Sequence, residues 1–201
     1  MPNKVTVNKK AVKRKMVNAL KNKSGQRKIY DQINKTFQRK KRQLINDYEQ
    51  HPVTQEIQAG PTASNSSGTL MSGYGNLYTF IGFEGGDPTK AVSQALRTDV
   101  RLNKKPTIRT TSRGIVYSYS ISFPTVKDLK DIAPMPWEPG SWVERIERGI
   151  SGLGYYLYQM GVSGSRSGGA VQTKGKLRSE TYKRTKYMSA ILKSFRKGWT
   201  K

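Results

Sequence analysis

The chain has 201 residues, with 37 Lys and Arg against 13 Asp and Glu, one His and no Cys, and a formal net charge of +24. The lack of cysteine excludes a disulfide framework and thiolate chemistry, and no run of about 18 apolar residues is present to span a membrane. Hydrophobic residues make up 34%, lean for a self-sufficient core.

Residues 9–22 place Val12, Met16 and Leu20 at i, i+4 spacing, a narrow apolar stripe on a cationic helix that Ser24 and Gly25 are expected to break. Residues 26–48 carry a second stripe, Ile29, Ile33, Phe37, Leu44, Ile45 and Tyr48, and predict a long helix packed by one face on a sheet. Arg27, Lys28, Lys35, Arg39 and Arg42 line the rest of its surface, and His51-Pro52 stops it. Residues 64–76 are rich in Ser, Gly and Asn and read as an exposed loop that buries almost nothing and is mobile in the isolated subunit. "LYTFIGF" at 77–83 is β-branched and aromatic, and predicts a buried strand. Asp87 with Pro88 starts a short helix to Arg97.

Residues 100–110 and 115–123 predict an antiparallel hairpin. Ile115, Tyr117, Tyr119, Ile121 and Phe123 alternate with Ser118, Ser120 and Ser122, and Pro106 marks an edge or bulge in the partner strand. "TVKDLKDIA" reads as a short helix. Ser141 with Glu144 forms a capping box ahead of Trp142, Ile146 and Ile150. Strands follow at 153–158 and 171–177, separated by a flexible Gly/Ser loop at 161–169. Met188, Ile191, Leu192 and Phe195 mark one face of a terminal helix. The expected fold is α+β: a small antiparallel sheet packed with a long N-terminal and a C-terminal helix. Residues 1–25 form a basic extension, and 26–201 a single domain with loops at 59–76 and 161–174.

The enzyme case is thin, and no cofactor is implied. His51 is the only histidine and reads as a helix-end residue, so a hydrolytic triad or His-rich metal site has no second member. Asp128/Asp131 and Glu144/Glu147 are i, i+3 pairs interleaved with Lys and Arg, the pattern of a solvated surface. "GFEGGDP" lacks the Lys-Ser/Thr of a P-loop and reads as a turn.

Charge is the stronger signal. Residues 1–50 carry 15 basic against 3 acidic side chains, residues 51–150 carry 11 against 9, and residues 151–201 carry 11 against 1. A nearly neutral middle between basic ends implies a polyanion nearby. Lys13, Arg14, Lys15, Lys40, Lys41, Lys174, Lys176 and Lys183 are the candidate contacts to nucleic acid or to an acidic partner. No base-reading motif accompanies them, so contact would be to the backbone and insensitive to sequence. Tyr155, Tyr156 and Tyr158 read as strand core ahead of base-stacking platforms.

Four stretches taken in order, "SSGTL" (66–70), "SWVERIERG" (141–149), "SRSGGAVQTKGKLR" (165–178) and "KYMSAILKSF" (186–195), follow a long amphipathic helix. This order, covering most of residues 26–197, resembles the neck or tail-completion (head–tail joining) proteins of long-tailed bacteriophages. The family's closing segment carries Pro near the last helix, whereas this chain has none after Pro139. The resemblance implies a non-enzymatic virion protein, assembled in the host cytoplasm as a homo-oligomeric ring. Its partners would be portal or adaptor and tail proteins, with DNA in the channel and no membrane. It further implies that Ser66, Leu70, Tyr74, Ser165 and Arg166 make inter-subunit loop contacts. A sequence-independent nucleic-acid-binding protein, such as a ribosome-associated factor, is the alternative, and a nuclease stands last.

Overall fold

The computed structural model describes residues 15, 17–19, 22–70, 76–111, 114–136, 139–148, 158–159, 170–171 and 183–199. The fold is α+β, with a long helix near the N-terminus, a helix near the C-terminus and short antiparallel strand pairs between them. Among the described residues the strands form three separate two-stranded ladders. The chain divides into two compact units, Met1–Arg42 with Val100–Phe123, and Gln43–Asp99 with Pro124–Lys201.

Helix α1 runs over Lys23–Glu49 and contributes to both units. Ser24 and Gly25 sit in its first turn and do not break it. Asn22 caps the helix: its Oδ1 accepts from Gly25 N at 2.7 Å, and its carbonyl accepts from Gln26 N at 3.1 Å. A capping side chain satisfies one of the orphan N–H groups that every helix start exposes. Residues 15 and 17–19 are helical too, but the stripe residues Val12, Met16 and Leu20 lie outside the described residues.

In the first unit, β2 (Thr107–Thr111) pairs with β3 (Gly114–Ser118), Thr107 opposite Ser118 and Thr111 opposite Gly114. The short strands β1 (Arg101–Leu102) and β4 (Ile121–Ser122) continue the same hairpin. Between the two ladders, residues 103–106 oppose only residues 119–120, so Pro106 does mark a bulge. Ile115, Tyr117, Tyr119, Ile121 and Phe123 are half-buried and the intervening residues exposed, as the alternation predicts. Tyr119 meets Tyr30 of α1 at 5.9 Å between ring centroids. Among the described residues of this unit, only Phe37 and Val100 are fully buried apolar side chains.

The second unit holds the main core. Helix α2 (Pro52–Gln58) begins directly after α1, with His51 as N-cap and Pro52 in its first turn. Residues 77–83, expected as a strand, instead form helix α3 (Leu77–Ile81). Leu77, Tyr78, Phe80 and Ile81 are buried while Thr79 is exposed, a helical spacing. Asn76 caps its start in a box with Thr79. At its end Gly82 takes φ 86°, and Phe83 N donates to Tyr78 O in a Schellman closure. Helix α4 (Thr89–Asp99) starts as expected, Asp87 Oδ1 accepting from Thr89 N at 3.0 Å.

Residues 125–133, expected as a helix, are consecutive turns: Asp128 N, Lys130 N and Ile132 N each donate to the carbonyl three residues earlier. Asp128 draws the local bonds away from a helix, its carboxylate accepting from the backbone and hydroxyl of Thr125. Helix α5 (Trp142–Arg148) buries Trp142, Val143 and Ile146, but the expected capping box is not formed. The Ser141 hydroxyl is buried without a hydrogen-bond partner, and Glu144 pairs with Arg148 at 2.8 Å. Strands β5 (Tyr158–Gln159) and β6 (Ala170–Val171) pair antiparallel. Helix α6 (Met188–Lys197) buries Met188, Ile191, Leu192 and Phe195, the four residues expected on its inner face. No described helix is long and apolar enough to cross a membrane.

Candidate functional site

Two of the four motif stretches, 141–149 and 186–195, meet in the second unit, and Tyr187 stands at their junction. Tyr187 is fully buried, and its hydroxyl shares a 2.6 Å hydrogen bond with the Thr54 hydroxyl of α2. Its ring lies 6.3 Å from Trp142, 6.1 Å from Tyr48 and 4.8 Å from His51. Trp142 in turn meets Phe83 edge-on at 6.1 Å, and Phe83 meets Tyr78 at 5.3 Å. Offset and edge-on aromatic pairs contribute about 0.5–1.5 kcal/mol each beyond burial. The Glu147 carboxylate ties the same two stretches together, accepting from Ser189 N at 2.5 Å. The 66–70 stretch is bonded instead to Lys183, just before the last stretch, whose N donates to Thr69 O at 2.8 Å. The 165–178 stretch lies outside the described residues except for Ala170 and Val171.

The described part of the loop after α2 is more buried and better hydrogen-bonded than its composition predicts. Thr69, Leu70 and Asn76 are buried. The buried carboxylate of Glu56 accepts from Ser67 N at 2.8 Å and from Leu77 N at 2.7 Å, so it clamps both ends of the loop. The Asn76 amide donates to Pro61 O and Ala63 O at 2.9 and 2.8 Å while its oxygen accepts from Thr79 N. Side-chain amides and carboxylates thus supply the partners that buried loop backbone requires.

His51 Nδ1 accepts from Val53 N at 3.3 Å, the helix-end role expected of it, and burial lowers its pKa from the ordinary histidine value. Burial pushes the Tyr48 and Tyr187 hydroxyls well above the usual phenol range, so both stay protonated. An open polar cleft of about 340 Å³ is lined by Tyr48, Glu49, Gln55, Asp87, Lys90 and Ser93 among others. Its acids are engaged: Glu49 accepts from Arg97 at 2.6 Å and Ser93 at 3.0 Å, and Asp87 caps α4. Among the described residues no group of three His, Cys, Asp or Glu is placed to hold a metal ion. "GFEGGDP" is a turn, with Gly86 at φ 74° and Asp87 serving the next helix.

The predicted basic contacts scatter. Lys13, Arg14, Lys174 and Lys176 lie outside the described residues, as do Tyr74, Ser165 and Arg166. Lys15 and Lys183 are exposed. Lys40 and Lys41 are half-buried on the inner face of α1, and Lys41 Nζ donates to Val100 O at 2.8 Å, so neither is displayed as an open phosphate ligand. Ser66 is exposed, as a loop contact requires. Leu70 is not: it is 4% exposed in the core of its own unit, because Asn65 bonds its carbonyl and draws it inward.

The two units divide the charge in a way that linear windows hide. The first holds 20 of the 37 basic residues and only Asp31 of the 13 acidic ones, or +19; the second holds 17 and 12, or +5. The hairpin contributes Arg101, Lys104, Lys105, Arg109 and Arg113 with no acid, yet it lies in the near-neutral middle of the sequence. Comparison with protein-family models, curated proteins and solved structures finds no match to this chain.

Proposed function

We propose that the chain is a non-enzymatic structural protein of a bacteriophage neck, forming a ring that joins the portal complex to the tail. The observation that carries the reading is the convergence on Tyr187. Two of the stretches that resemble the head–tail joining family, 141–149 and 186–195, are far apart in sequence but pack together there, and 66–70 bonds to Lys183 just before the last of them. Motifs that meet in space constitute one unit of design, which scattered chance matches do not. The lean first unit adds support. Its hairpin leaves Ile108 39% and Val116 47% exposed, apolar surface that neighbouring subunits or rings would cover.

The second reading, a sequence-independent nucleic-acid-binding protein outside any virion, is favoured by the +19 charge of the first unit. Antibody labelling of purified particles separates the two. The neck reading expects label confined to the head–tail junction. Label absent from particles and recovered with ribosomes or bulk nucleic acid would overturn it.

A further inference from the structure

We propose that the outer face of α1 is a binding surface for the phosphate backbone of duplex DNA. This rests on the placement of charge and holds whether or not the neck reading does. Arg27, Lys28, Lys35, Arg39 and Arg42 are all exposed. At 3.6 residues per turn they fall within one sector of about 140° and span about 22 Å of helix. None of the five forms an ion pair or hydrogen bond among the described residues. The same sector otherwise carries Gln32, Gln38 and a single acid, Asp31. In the same unit the bulge at 103–106 turns Lys104 and Lys105 out to solvent, and Arg109 stands exposed on β2.

The chemistry of this face selects its partner. It is linear, cationic and without an aromatic side chain, so it offers no platform on which the bases of a single strand would stack. With a single acid, Asp31, among five basic side chains, it does not match the mixed charges of a protein surface, where an exposed ion pair contributes only about 0–1 kcal/mol. A duplex presents one negative charge per ~1.7 Å of axis, and each phosphate neutralised releases condensed counterions. Arg and Lys without base-reading neighbours position the backbone and leave sequence unread.

The test is fluorescence anisotropy of the full chain with a random-sequence DNA duplex across a salt series. Five contacts on α1 account for a slope of about 4.5 in log K against log salt, roughly a 500-fold loss of affinity between 50 and 200 mM. Changing Arg27, Lys28, Lys35, Arg39 and Arg42 together to Gln preserves helix propensity and is expected to remove that part of the slope. Changing Lys127, Lys130, Lys193 and Arg196 of the second unit to Gln is expected to leave the slope unchanged. Asp31→Asn, which removes the one repelling charge without touching a packed residue, is expected to tighten binding several-fold. It keeps the test open if the fivefold variant misfolds. The proposal is overturned if the wild type does not bind duplex at low salt, if the fivefold variant keeps the slope, or if Asp31→Asn leaves affinity unchanged. Competition by polyglutamate as effective as by duplex would also overturn it and assign the face to an acidic protein. None of these failures bears on the neck reading, which the location of the chain in particles decides.

Discussion

Glu56 holds the loop after α2 by two charge-assisted bonds, to Ser67 N and Leu77 N. Replacing it with Gln keeps the shape but turns an N–H group toward one of these donors. Hydrogen bonds to charged groups contribute about 1.5–3 kcal/mol, so Glu56→Gln is expected to lower unfolding free energy by about 2 kcal/mol. The amides of Ser67 and Leu77 should exchange slowly in the isolated wild-type chain and quickly in the variant. Equal exchange in both would show that the clamp does not hold the loop. His51 gives a pH dependence whose sign follows from its lowered pKa. Above the ordinary value of about 6.5 the ring is neutral in folded and unfolded chains alike, and its contribution is complete. As pH falls through that value toward the folded pKa, the unfolded chain takes the proton more readily and stability declines. Protonation also removes the Nδ1 lone pair that accepts from Val53 N. His51→Asn retains a capping acceptor without the titration. Thermal melts from pH 7 down to about 5.5 should show a shallower decline for this variant than for wild type; parallel declines would contradict the assignment.

At the scale of elements, legibility followed the clarity of the period. The four inner residues of α6 and the alternation of β3 read directly because each face repeats over several turns or residue pairs. Helix α3 did not, because four apolar residues in a five-residue segment are too few to separate periods of 2 and 3.6. Its decisive signals were the flanking Asn76 and Gly82, which are ordinary loop residues until a helix is supposed between them. Ser141 shows the opposite failure: a matching capping pattern whose hydroxyl is buried and bonded to nothing. A working N-cap removed to Ala costs about 1 kcal/mol. Ser141→Ala is instead expected to leave stability unchanged or slightly raised in denaturant unfolding, and a loss of about 1 kcal/mol would restore the cap. Phe37 and Leu192 are 2% and 6% exposed in the first and second units. Phe37→Ala is expected to cost about 3–5 kcal/mol and Leu192→Ala about 2–5 kcal/mol. Unchanged denaturation midpoints for both would refute the assignment of the two buried faces.

Across the whole molecule, what the sequence hid was which distant segments share a unit. Residues 100–123 carry five basic side chains and no acid, but a window that also takes in Glu84, Asp87, Asp128 and Asp131 averages them away. Long-range pairing with α1 returns them to the basic side, through Tyr30 against Tyr119 and Lys41 on Val100. Likewise Lys40 and Lys41 belong to the longest cationic run, yet helical periodicity turns them inward and leaves Arg39 and Arg42 outside. The meeting of the 141–149 and 186–195 stretches at Tyr187 was equally invisible in one dimension, and it supports the ring-forming neck reading. The most direct test is the native mass of the assembly that this chain forms when released intact from purified particles. The account expects one discrete mass at a fixed integer multiple of the subunit, corresponding to a closed ring. A monomer that carries bound RNA, or an open series of sizes with no preferred number, would contradict it.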